Sequence, residues 1–73
     1  MSITPAQIRA ARHLLVMKQE ELAELAGISI ATLKRAESER EVPISDDTIQ
    51  LIKQTLEANG IVFLGMTGLR RLQ

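Results

Sequence analysis

The segment from Gln19 to Ser38 constrains the chain most, because two short apolar-periodic stretches meet there around a single glycine, Gly27. Helices this short can pack only at a steep crossing angle. A large side chain at Ala23, in the middle of the first stretch, would hold them apart, and a residue other than Gly at 27 would strain the turn. Glu20 and Glu21 suit the positive end of a helix dipole, and Gly27 is the residue type best able to take the left-handed conformation at a helix end. The pattern predicts a helix over about residues 19–26 with Leu22, Leu25 and Ala26 as its buried face. Beyond Ile28, Ser29 is suited to N-cap a further helix over about residues 30–38. Leu33, Ala36 and the aliphatic stem of Glu37 fall on one side of it. Ala31, Lys34, Arg35 and Ser38 fall on the other, with Ile30 at the margin. One side can pack, and the other can meet a ligand.

The flanking sequence supplies the rest of a small helical fold. Thr4 as N-cap, Pro5 at the first helical position and Gln7 three residues after Thr4 form a capping-box pattern. Ile8, Ala11 and Leu15 then recur at helical spacing, which predicts a helix over about residues 4–16. The charged stretch ending in Pro43 reads as a loop. Ser45 can cap a helix over about residues 46–58, with Asp46 and Asp47 in its first turn and Ile49, Ile52 and Leu56 on its apolar face. Asn59 and Gly60 end it. The tail, with IVFL and LRRL separated by GMTG, predicts a β-hairpin over about residues 61–72. A lone hairpin is marginal in water, so this one is expected to pack on the helices or pair with another chain's strand.

Composition narrows the function classes. The 73 residues suit one domain spanning residues 1–73, with a core too small to be robust without good helix packing or a second subunit. There is no Cys and only one His, His13, so neither disulfides nor a zinc site of several His and Cys ligands is expected. No metal and no cofactor are expected. A nucleophilic Cys and a phosphate-cradling glycine loop are absent as well, which argues against an enzyme. Apolar runs are far shorter than a membrane span and the N-terminus lacks a signal-peptide pattern, so a cytoplasmic protein without membrane contact is expected. Net charge is zero but segregated: Arg9, Arg12 and Lys18 precede a second helix that carries Glu20, Glu21 and Glu24. Zero net charge does not exclude nucleic acid as a partner, because a local basic face is enough.

From RAARHLLVMKQEELAELAGIS through ATLKRAE, and more loosely to residue 58, the sequence resembles the phage-repressor, Cro-like (XRE-type) helix-turn-helix family. The combination of Gln19, Leu22, Ala23, Gly27, Ser29, Thr32, Leu33 and Glu37 at these spacings carries the resemblance. It implies a mainly α, four-helix repressor-like domain, here followed by the β-hairpin. The third helix would enter the major groove of double-stranded DNA and the second would lie across the backbone, as a homodimer on a two-fold operator. By position, Gln19 matches a phosphate contact. Ser29, Ile30, Ala31, Lys34 and Arg35 match positions that approach bases and nearby phosphates, and Ser38 and Arg40 match positions that grip the backbone. Arg12 and Glu37 match a structural ion pair linking the first and third helices. The residues agree, since Glu37 lies on the packing side, where an unpaired charge is costly.

Three features depart from the family pattern. Ile30 and Ala31 replace polar residues at the start of the reading helix, Ala36 is smaller than the usual branched aliphatic, and the hairpin stands where many members have a fifth helix. Ile30 can meet a thymine methyl, while Arg35 can address guanine O6 and N7 together. His13 is assigned no role, and Arg70 and Arg71, pointing to opposite strand faces, can put at most one guanidinium on DNA easily. The expected function is a sequence-specific transcriptional repressor. The alternative is an antitoxin-like interaction module that holds a protein partner through the fourth helix and the hairpin.

Overall fold

The computed structural model describes residues 3–40, 43–65 and 68–72. Within them the chain forms α1 (Pro5–Leu14), α2 (Gln19–Ala26), α3 (Ile30–Ala36), α4 (Asp46–Ala58), β1 (Ile61–Leu64) and β2 (Gly68–Arg71). This is the expected class, four helices and a C-terminal hairpin. Glu41 and Val42 of the loop before α4, and Met66 and Thr67 of the hairpin turn, lie outside the described residues.

Local chemistry sets the helix starts. Thr4 Oγ1 accepts from the Gln7 backbone N–H at 3.1 Å while Gln7 Oε1 accepts from the Thr4 backbone N–H at 2.9 Å, so the capping box is complete in both directions. Ser29 and Ser45 cap α3 and α4 by accepting from the backbone N–H of Thr32 and Thr48. α2 starts differently: its N-cap is Lys18, whose side chain has no acceptor, and only the Glu21 carboxylate closes the turn by accepting from the Lys18 N–H.

The stops show where sequence spacing overran. The first helix was expected to reach residue 16 but ends at Leu14, because Leu15 is its C-cap and Val16 turns left-handed at φ 52°. The Met17 N–H donates to Arg12 O and the Val16 N–H to His13 O, the two bonds of a Schellman closure. The third helix likewise ends at Ala36 rather than residue 38, with Glu37 as its C-cap. Gly27 takes φ 72° at the C-cap of α2, as the turn requires.

Ile8, Ala11, Leu22, Ala23, Leu33, Ala36, Ile52, Leu56 and Ile61 form the centre of the core. Leu25 was expected to join it and instead is 56% exposed. The close α2–α3 crossing brings the Leu22, Ala23 and Ala26 face inward, which rotates Leu25 out. In the hairpin Ile61, Val62, Phe63 and Leu64 pair antiparallel with Arg71, Arg70, Leu69 and Gly68. A Cβ on Gly68 would lie 2.8 Å from Leu64 O, so the ladder closes only around a glycine. β2 packs along α1 and β1 along α4.

Gln7 holds this packing together. It is 1% exposed, and its Nε2 donates to Gly65 O at 3.1 Å and Gly68 O at 3.0 Å. One side chain therefore closes the first turn of α1 with its oxygen and anchors the hairpin turn with its nitrogen. Arg71 adds a second tie, donating from Nη1 to Leu14 O at the C-terminal end of α1.

Val16 stands apart from this economy, being β-branched, left-handed and 86% exposed. A left-handed non-glycine residue costs roughly 1–2 kcal/mol, and glycine returns part of that as chain entropy in the unfolded state. Val16→Gly should raise stability by about 0.5–1 kcal/mol and the thermal midpoint by roughly 2–8 °C, measured by circular dichroism.

Candidate nucleic-acid interface

The framework of the site is a charged cluster at the junction of α1, α2 and α3. Arg12 on α1 donates from Nε to Glu37 Oε2 at 2.9 Å and from Nη2 to Glu37 Oε1 at 3.1 Å, a bidentate pair. Its remaining nitrogen, Nη1, donates to Met17 O at 3.1 Å in the α1–α2 corner. Gln19, first residue of α2, donates from Nε2 to Glu37 Oε1 at 3.1 Å. The side chains of Arg12 and Glu37 are 13% and 4% exposed, so the pair is largely withdrawn from water. Among the described residues no buried side-chain nitrogen or oxygen lacks a partner.

Gln19 is therefore half-buried and already engaged. Its amide nitrogen carries two hydrogens, and the bond to Glu37 uses one. The second is left to a ligand such as a phosphate, with the amide held in orientation by the ion pair behind it.

α3 separates its two jobs cleanly. Leu33, Ala36 and Glu37 are buried, whereas Ile30, Ala31, Lys34 and Arg35 are exposed. Ile30, 40% exposed, is a large apolar side chain at the outer start of the helix. Ser29, by contrast, is committed: its Oγ accepts the Thr32 N–H at 3.0 Å and donates to Thr32 Oγ1 at 2.8 Å. The hydroxyl hydrogen free to reach outward is that of Thr32, a half-exposed residue whose role sequence spacing did not single out. Only the direction of the Ser29–Thr32 bond reveals it.

After α3, Ser38 Oγ accepts from the Arg40 backbone N–H at 3.1 Å, which leaves the Ser38 hydroxyl hydrogen and the exposed Arg40 guanidinium for an external acceptor. Arg9, also unanticipated from sequence, pins this corner to α1 by donating to Glu37 O and pairing with Glu39. A cation at the carbonyl end of a helix is electrostatically favourable. Because the Arg9 partners are exposed or backbone groups, spacing gives no signal for it. Lys18 is a further exposed cation at the start of α2.

Lys34, Arg35, Arg40 and Lys18 thus present exposed positive charge from α3, its following loop and the start of α2, while Glu39 is paired with Arg9. Glu20, Glu21 and Glu24 are exposed along α2 and confine that positive character to one part of the surface. Among the described residues there is no cluster of three metal-ligating side chains and no helix long and apolar enough to cross a membrane.

A family model described as "Helix-turn-helix" matches residues 8–59, most of the chain. No curated protein matches it.

The buried pair makes a double-mutant expectation. Arg12→Ala or Glu37→Ala alone should cost about 3–5 kcal/mol, because each strands a buried charge, whereas Arg12→Met combined with Glu37→Met should cost clearly less than the sum. Urea unfolding midpoints measure this; additive losses would mean that the two groups do not stabilise each other.

Proposed function

The chain belongs to the XRE-type helix-turn-helix family of DNA-binding regulators, and from that premise we propose that it is a sequence-specific transcriptional repressor acting as a homodimer on an operator. α3 enters the major groove, where Lys34 and Arg35 approach base edges and adjacent phosphates. The observation that carries this reading is the division of α3: Leu33, Ala36 and Glu37, which pack the helix, are buried, and Ile30, Ala31, Lys34 and Arg35 are exposed with no side-chain hydrogen-bond or ion-pair partner among the described residues.

Each contact follows from the chemistry available. The planar fork of Arg35 can accept guanine as a bidentate partner, worth roughly 1–3 kcal/mol of discrimination. Ile30 and Ala31 cannot hydrogen-bond through their side chains, so they read thymine by apolar contact with its methyl group. Ser29 sets the helix start and contributes to the interface chiefly through the hydroxyl of Thr32, which it orients. Gln19, Ser38 and Arg40 donate to phosphates on either side of the groove, which positions the helix without reading sequence. Repression follows from occlusion: a domain of this kind, seated on a promoter, excludes other proteins from the same DNA.

Two half-sites about 34 Å apart would let a two-fold dimer place both reading helices in successive major grooves. Exposed Leu51 on α4 and Leu64 and Leu72 at the hairpin favour, as a second reading, an antitoxin-like module that grips a protein partner there.

Selection of bound sequences from random DNA, followed by titration with salt, tests the proposal. Binding should weaken about a thousandfold or more between 50 and 200 mM salt if six or more phosphates are contacted per dimer. A flat response would remove the DNA reading and leave the protein-partner one. Lys34→Ala with Arg35→Ala should abolish specific binding yet change stability by no more than about 0.5 kcal/mol per site. Unchanged binding would mean that α3 does not face DNA.

A further inference from the structure

Between Ser29 and Arg40 the chain carries two carboxylates, Glu37 and Glu39. Glu37 is buried and committed to Arg12 and Gln19. Glu39 differs: its side chain is 75% exposed, and it stands between Ser38 and Arg40, the two residues assigned above to phosphates. An unneutralised carboxylate at this place opposes the binding of a polyanion. It repels any phosphate within a Debye length, about 10 Å at 0.1 M salt, and it offers the neighbouring Arg40 guanidinium an internal partner in place of DNA.

One guanidinium answers both problems. Arg9 on α1 donates from Nη1 to Glu37 O at the end of α3 and from Nη2 to Glu39 Oε1. The loop beyond the helix is tightened by its own backbone, with the Ser38 N–H donating to Arg35 O at 3.2 Å and the Arg40 N–H to Ser38 Oγ at 3.1 Å. Those bonds set the path of the loop but leave the Glu39 side chain unheld. Among the described residues its only partner is Arg9. The two arms of a guanidinium are rigidly related, so fastening Nη1 to the helix end fixes where Nη2 holds the carboxylate. An exposed ion pair of this kind adds little to stability, which points to an effect on what the loop binds.

We infer that Arg9 is a positioning residue for DNA binding: it draws the Glu39 carboxylate to the α1 side of the loop and cancels its charge, so that Ser38 and Arg40 meet phosphates without an anion competing for Arg40. Arg9 acts through Glu39 and does not itself touch DNA. This rests on the DNA reading given above and deepens it at the backbone contacts alone. Because phosphate contacts carry no sequence information, base preference is unaffected. The device also makes the two residues interdependent. With Arg9 present the charge of Glu39 is hidden and its removal changes little; with Arg9 absent the same removal restores binding. Two independent charges would instead shift affinity by the same factor in either background.

Arg9→Ala, Glu39→Gln, the two combined, and Glu39→Asp are titrated by fluorescence anisotropy at about 50 mM salt, where screening is weak. The probes are two labelled duplexes, one recovered by selection from random DNA and one of mixed sequence, and circular dichroism follows folding. Arg9→Ala should weaken binding to both duplexes about fivefold or more, Glu39→Gln should change it by less than about twofold, and the combination should return to within about twofold of the unaltered protein. Glu39→Asp keeps the charge but shortens its reach to an Arg9 still fastened to Glu37 O, so it should weaken binding in the same sense even if Arg9→Ala does not fold. The inference is overturned by a loss in Arg9→Ala that Glu39→Gln does not restore, by an equal effect of Glu39→Gln in both backgrounds, by a loss confined to the selected duplex, or by unimpaired binding of Glu39→Asp. Each of these leaves the DNA reading standing. Failure of the unaltered protein to bind either duplex removes that reading and the inference with it.

Discussion

The mutual placement of α1, α2 and α3 depends on the buried carboxylate of Glu37. Its two oxygens receive three donors: two from Arg12 and one from Gln19. Those donors come from α1 and from the first residue of α2, and Glu37 itself caps α3, so one side chain fixes three helices at a point. Arg12 carries the connection onward to Met17 O in the α1–α2 corner. A carboxylate withdrawn from water in this way is tolerable only because its partner is bidentate and Gln19 supplies a third donor. The pair is therefore less a source of net stability than a requirement of geometry: with one member missing, the other is left buried and unpaired.

Gln7 plays the corresponding part at the other end of the molecule. It closes α1 upon itself through Thr4, and over separations of 58 and 61 residues it holds Gly65 and Gly68. The hairpin is thus attached to the helices through specific hydrogen bonds as well as through Ile61, Phe63 and Leu69. A two-stranded sheet that would not persist alone becomes a defined appendage.

Much of this architecture is legible in the sequence because it depends on local chemistry. Thr4, Ser29, Ser45 and Gly27 act within three or four residues of themselves, so their spacing alone locates helix ends. Glu37 is legible for a different reason: a charge on a packing face demands a partner, and the family resemblance implies that the partner is Arg12. What escaped the sequence depends on contacts across the fold. The second role of Gln7, the grip of Arg9 on the end of α3 and the tie from Arg71 to Leu14 all run to backbone carbonyls, which every residue possesses and which leave no mark in composition. Leu25 was misplaced because an eight-residue helix has more than one plausible apolar stripe, and the crossing with α3 chooses between them. The exposure of Thr32's hydroxyl hydrogen depends on the sense of one hydrogen bond, which spacing cannot supply.

The partition of α3 also bears on how such a protein can change over evolutionary time. Ser29, Leu33, Ala36 and Glu37 hold the helix in place, and none of them is among the exposed side chains at 30, 31, 34 and 35. Exposed positions such as these, with no side-chain hydrogen bond among the described residues, tolerate replacement at little thermodynamic penalty. A lineage could therefore exchange those four residues wholesale and acquire a new recognition preference without first passing through unfolded intermediates. The domain behaves as a chassis with a replaceable face, so related chains with nearly identical cores need not share a target.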